Sequence, residues 1–228
     1  RRRYYLPRIV ERCGSLMTSL LRGLLSRTAS PEADRGIRLV VGLGNPGETY
    51  AHNRHNVGYW TVNRLARRHG LDFDVRTSSY FLAEGAIAGR RVALAKPRTY
   101  VNRSGDAVWN LVKRLKLDDA SELLVVYDEL DLPVGRVRVR PKGGPGGQKG
   151  VADIIDRLGT DAFPRVRIGI GRPVVDGQPT WDPDAVASYV LSDPPPGERA
   201  LLDEAVARAV EAIEVAIAEG IEAAMNRF

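Results

Sequence analysis

The chain has three histidines, His52, His55 and His69, and one stands where it could act as a base. His55 lies in Arg54-His55-Asn56-Val57-Gly58, where a polar loop gives way to helical apolar spacing. A lone imidazole is more often structural than catalytic, so a catalytic reading requires a partner. Asp128 offers one, directly after the apolar run Leu123–Tyr127 and at the head of Asp128-Glu129-Leu130-Asp131-Leu132-Pro133. A carboxylate at the end of a buried strand can accept the proton of one ring nitrogen and fix the tautomer. The other nitrogen is then free to deprotonate water. The competing role for Asp128 is to cap the turn that follows. His69 closes a predicted helix beside Gly70 and reads as a surface residue. No G-x-S-x-G elbow supplies a serine nucleophile, and no His/Cys/Asp grouping has zinc spacing; neither metal nor cofactor is expected. Water activated by histidine, acting on an ester, is the most economical hydrolytic chemistry. An unperturbed imidazole would make such activity fall below roughly pH 6.

Two amides could serve the same chemistry. Asn45 lies in Gly42-Leu43-Gly44-Asn45-Pro46-Gly47, after the apolar run Ile37–Val41. The glycine spacing alone is a weak dinucleotide signal. The motif is followed by Glu48-Thr49-Tyr50-Ala51 rather than a helical stripe, and residues 60–71 contain no Asp or Glu for ribose hydroxyls, so a nicotinamide-dependent dehydrogenase is disfavoured. What remains is a polar loop at a strand end, where α/β proteins bind ligands, or a tight turn with a left-handed Asn. Asn102, in Thr99-Tyr100-Val101-Asn102-Arg103-Ser104-Gly105, could grip a peptide or an ester carbonyl. Alternatively it or Ser104 caps the next helix.

These residues need a scaffold, and residues 37–228 read as one α/β domain. Strands are expected at Ile37–Val41, Phe81–Ile87, Val92–Ala95, Leu123–Tyr127, Val134–Arg140 and Val166–Ile170. Helices are expected at Val57–His69, Gly105–Leu117, Val151–Leu158, Ala185–Leu191 and from Glu198 to about Glu219. Their alternation implies a twisted mixed sheet, mainly parallel, with helices on both faces. Alternation in Arg136-Val137-Arg138-Val139-Arg140 sets three cations on one strand face, and Pro141-Lys142 then leads into Gly143-Gly144-Pro145-Gly146-Gly147-Gln148-Lys149-Gly150. Such a stripe before exposed backbone N–H groups can bind phosphate, with Arg165 and Arg167 extending it, or it can be a solvated face. Lys149 is followed by Gly, which rules out a Walker A loop.

The net charge of +6 is carried chiefly by arginine. It fits a polyanionic partner and equally a GC-rich coding bias. Residues 1–36 form a basic N-terminal extension with leucines near helical spacing. A transit peptide, a disordered arm and an over-extended start with Met17 as the true one are all open, the last two favoured. Cys13, the single cysteine, cannot form an internal disulfide, which suits a reducing compartment. No run of about 18 apolar residues predicts a membrane span.

Taken together, these segments resemble the bacterial-type peptidyl-tRNA hydrolase family from about Arg38 to Phe228. The matching blocks are Val41–Gly47, Tyr50, Arg54–Gly58, Thr99–Gly105, Asp128–Pro133 and Arg167-Ile168-Gly169-Ile170-Gly171. The resemblance implies a single, usually monomeric α/β domain without metal, acting on peptidyl-tRNA in the cytoplasm. It makes His55 the general base and Asp128 its partner, with Asn45 completing the catalytic set. Tyr50, Tyr100, Asn102, Gln148 and Lys149 would contact the substrate, and Arg140, Arg167, Arg138 and Lys142 would hold tRNA phosphate. The family usually has Gly-Gly-His-Asn-Gly where this chain has Gly147-Gln148-Lys149-Gly150, which implies an altered grip on the acceptor end. The alternative within the superfamily is a catalytically silent RNA-binding protein of the splicing-factor kind.

Overall fold

A computed structural model describes residues 36–228. The N-terminal extension, with its leucine-spaced segment and Cys13, lies outside the described residues. The strands of the main sheet are β1 (Leu39–Gly42), β2 (Val75–Arg76), β3 (Tyr80–Ile87), β4 (Arg90–Pro97), β5 (Leu123–Glu129), β6 (Val137–Arg140) and β7 (Arg165–Gly169). They form one seven-stranded sheet in the order β2-β3-β4-β1-β5-β7-β6. The central strands β4, β1, β5 and β7 are parallel, and β3, β2 and β6 add antiparallel edges. Every residue of β1 and β5 is buried, as a parallel strand covered on both faces requires.

The helices are α1 (Val57–Arg68), α2 (Ser104–Leu115), α3 (Lys149–Leu158), α4 (Pro183–Val190), α5 (Pro196–Glu219) and α6 (Ile221–Arg227). Alternation along the strands divides the interior in two. Val40, Leu124, Val126 and Ile168 pack with Val62 and Leu65 of α1 and with Ala209, Ile213 and Ile217 of α5. Leu39, Val41, Val125 and Tyr127 pack with Val108 and Leu111 of α2 and with Val151 and Ile154 of α3. Helices therefore cover both faces, as the pattern predicts.

Two strand boundaries and one side chain depart most from expectation. β5 runs on through Asp128 and Glu129, because pairing with β7 continues to Glu129 and Gly169; hydrogen bonding carries the polar residues into the strand. β6 begins at Val137 rather than Val134, since Gly135 takes φ 85° and Arg136 N–H donates to Pro133 O at 3.0 Å. Arg136 thus lies in the turn that leads into the strand, with its carbonyl accepting from Gly169 N–H at 2.7 Å. His69 is not a free surface residue: its Nε2 lies 2.7 Å from a carboxylate oxygen of Glu214 on α5. The small hairpin β8 (Val174–Val175) and β9 (Gln178–Pro179) and the terminal helix α6 have no clear apolar period to announce them.

Candidate active site

Close approach of backbones builds the site. A Cβ on Gly58 would fall 2.5 Å from the carbonyl oxygens of both Leu43 and Val126, and one on Gly42 would fall 2.3 Å from Gly58 O. With no side chains in the way, the start of α1 settles directly on the ends of β1 and β5. His55, in the 3-10 turn Arg54–Asn56 just before α1, is thereby carried over the end of β5. Its Nδ1 lies 2.9 Å from Asp128 Oδ2, with the two side chains 13% and 4% exposed. The pairing expected from sequence is made, and Asp128 is a strand residue rather than a turn cap.

Burial by itself would push the His55 pKa down. The negative charge of Asp128 and its hydrogen bond together outweigh that, and the imidazole stands above its ordinary 6.5. A raised imidazole pKa would set an acid limb higher than the one near pH 6 expected for an unperturbed ring. Nε2 makes no hydrogen bond among the described residues and is open to a water molecule.

Asn45 is held from three sides. Its N–H donates to Asn56 Oδ1 at 2.8 Å and its carbonyl accepts from Asn56 Nδ2 at 3.0 Å, while its own Oδ1 accepts from Val101 N–H at 2.8 Å. Its φ is not positive, so the left-handed turn does not form. Only Nδ2 is left uncommitted, and Asn45 can offer an incoming group a donor alone. Asn102 is exposed, and neither it nor Ser104 caps α2: Ser104 Oγ donates to Val101 O at 2.8 Å, and Asp153 of α3 accepts from Gly105 N–H at 2.6 Å. Tyr50 and Tyr100 meet edge to face, 6.2 Å apart at 88°, joining the Asn45 and Asn102 loops.

Gln148, expected on the substrate, is buried and turned inward: its Nε2 donates to Asp128 Oδ1 at 2.7 Å. Lys149, the first residue of α3, is exposed. On β6, Arg138 and Arg140 are half-buried, and Lys142 is exposed beyond them. Arg165 does not extend the basic surface. It is 2% exposed and donates to the carbonyls of Gly144 and Asp161, each at 3.0 Å, which ties down the glycine segment. Arg167 pairs with the buried Glu129 at 2.6 Å, so most of its guanidinium is engaged inside the protein rather than free for phosphate.

Sequence reasoning passed over Asn56, Glu129 and the buried Arg54. Arg54 donates to Glu198 Oε2 at 2.7 Å and to Ser192 Oγ at 2.7 Å, fastening the His55 turn to the first turn of α5 and to the segment that precedes it. The partners lie more than 130 positions away in the chain, and no local spacing betrays them.

Residues 39–228 match the family model described as peptidyl-tRNA hydrolase. The chain belongs to the peptidyl-tRNA hydrolase family. It is 52% identical over 190 residues to the peptidyl-tRNA hydrolase of Chloroflexus aggregans, covering 83% of this chain and 97% of that one. It is 49% identical to that of Roseiflexus sp. strain RS-1, covering 83% and 84%. The crystal structure of peptidyl-tRNA hydrolase from Acinetobacter baumannii superposes with a TM-score of 0.76 at 36% identity, over 85% of this chain and 94% of the other. Among the described residues no helix is long and apolar enough to cross a membrane, and no group of three or more His, Cys, Asp or Glu side chains could hold a metal ion.

Proposed function

We propose that this peptidyl-tRNA hydrolase family member cleaves the ester between a peptide and the 3′ ribose of its tRNA, with His55 as general base. The observation that carries this reading is the 2.9 Å contact of His55 Nδ1 with Asp128, which leaves Nε2 as the basic atom. Nε2 takes a proton from water as the water oxygen attacks the ester carbonyl, and Asp128 stabilises the imidazolium that forms. The carbonyl oxygen gains negative charge, and Asn45 Nδ2 is the donor held to meet it. Collapse breaks the bond to the ribose oxygen, which receives the proton from His55. Peptide carboxylate and free tRNA leave.

Tyr50, Tyr100 and Asn102 line the approach for the aminoacylated 3′ end. Arg138, Arg140, Lys142 and Lys149 form the cationic side on which acceptor-stem phosphates rest, with Arg167 contributing through Nη1, the nitrogen not bonded to Glu129. In this reading the protein acts as a monomer in the cytoplasm, as the family resemblance implies. A catalytically silent RNA-binding protein has no use for a carboxylate-held base with one nitrogen open, and the relatives above are named as hydrolases.

Incubation with peptidyl-tRNA should release free tRNA. His55→Ala should lose about 10²–10⁴-fold in kcat while still binding tRNA; near-wild-type turnover in that variant would refute the assignment.

A further inference from the structure

We infer that Gln148 is a positioning residue which, through Asp128, fixes the proton of neutral His55 on Nδ1 and so keeps Nε2 as the base. The inference rests on His55 being the base proposed above. Gly150 N–H, in the first turn of α3, can only donate, and Gln148 Oε1 lies 2.7 Å from it. That contact sets which end of the carboxamide is oxygen. The other end is therefore NH₂, and it meets Asp128 Oδ1 at 2.7 Å as a donor. A carboxylate receiving a donor at Oδ1 is rotationally fixed, and Oδ2 is left to accept from His55 Nδ1 at 2.9 Å. Donation runs from the helix backbone through the carboxamide to Asp128, and His55 Nδ1 donates to the same carboxylate from the other side.

The anchor itself has little freedom. A Cβ on Gly150 would fall 2.7 Å from Val101 O, so the start of α3 is pressed against the loop bearing Asn102. Gln148 N–H donates to Pro145 O at 3.0 Å, and the residue is only 8% exposed. An amide does not titrate. A histidine here, as the family pattern usually has, would carry a proton of its own near the working pH and could donate from either nitrogen. With glutamine the group behind Asp128 stays uncharged, and the charge of Asp128 raises the His55 pKa without a second titrating partner on the carboxylate.

The test combines kinetics on peptidyl-tRNA with ¹⁵N NMR of histidine-labelled protein, in which only three residues contribute signals. In the wild type, neutral His55 should show a protonated Nδ1 and a bare Nε2. Gln148→Ala should show mixed tautomers and a kcat lower by about 10-fold to 100-fold, the scale of a displaced catalytic group, with Kd for tRNA unmoved. Gln148→Glu sets a second carboxylate against Asp128, and its acid limb should move to higher pH. Gln148→His should restore much of the rate while adding a second ionisation to the acid limb. Amide dispersion in the same spectra reports that each variant is folded. A wild-type tautomer and wild-type kcat in Gln148→Ala overturn the inference. A raised KM at unchanged kcat also overturns it, marking Gln148 as a substrate contact. If His55→Ala retains turnover, the base assignment has failed first; if His55→Ala is dead and Gln148→Ala is not, the base stands and only the role of Gln148 falls.

Discussion

The carboxamide of Asn45 is committed at its oxygen and open at its nitrogen, and this asymmetry makes its role testable. In Asn45→Asp the acceptor for Val101 N–H survives, but the donor is gone and a negative charge faces the carbonyl oxygen. Kcat should fall about 10²–10³-fold, the cost of one lost oxyanion donor, with a melting temperature close to wild type; an unchanged kcat would remove Asn45 from the chemistry. His55 illustrates a different tension. Its folded-state pKa is raised, so its contribution to stability is complete below the unfolded pKa and is lost as pH rises through the folded one. Catalysis needs the neutral ring and works where that contribution has gone. At this scale His55, Asp128 and Asn45 were legible because strand ends, loops and residue types together limit what they can do. Gln148 and Arg167 were not. Their side chains turn inward toward Asp128 and Glu129, and those contacts exist only once β5, β7 and α3 are assembled.

The element that matters most is the junction of β1 with α1. Gly58 is compressed between two carbonyl oxygens, which are backbone and cannot step aside. Gly58→Ala should destabilise the fold by about 1–3 kcal/mol, read as a lowered urea midpoint, and should lower kcat because His55 rides on the displaced turn. A wild-type midpoint would mean that the close approach relaxes cheaply. The main helices and strands were readable from apolar period alone, and β3 and β4 from their turn at Gly89. The last two residues of β5 escaped because they are polar and are held by pairing with a neighbour rather than by burial pattern. Val134–Arg136 misled in the opposite way, since alternation continued through a turn that Gly135 creates.

Across the whole molecule, charge and fold serve different ends. Arg54 and Arg165 are absorbed by carboxylates and carbonyls inside the protein, and Arg167 gives Nε and Nη2 to Glu129, so net charge overstates the cationic surface available to RNA. Lys142 and Lys149, both exposed, carry that surface with the half-buried Arg138 and Arg140. For Lys142→Gln and Lys149→Gln, the slope of log Kd for tRNA against log salt should each flatten by about 0.7–0.9, the contribution of one phosphate contact. Slopes equal to wild type would place the tRNA elsewhere. The basic character was visible in the sequence, but which arginines are available was not, because availability depends on buried acids such as Glu129.

The most direct test of the central claim is the pH dependence of kcat/KM for the wild type beside Asp128→Asn. The wild type should lose activity with a midpoint above 6.5, because Asp128 raises the His55 pKa past its ordinary value. In Asp128→Asn the rate should fall by as much as about 10⁴-fold as the tautomer is lost. What activity remains should titrate at a lower midpoint, because burial then acts on the imidazole without the opposing charge. Coincident acid limbs in the two proteins, or no acid limb in either, would contradict the pairing of His55 with Asp128 as the source of the base.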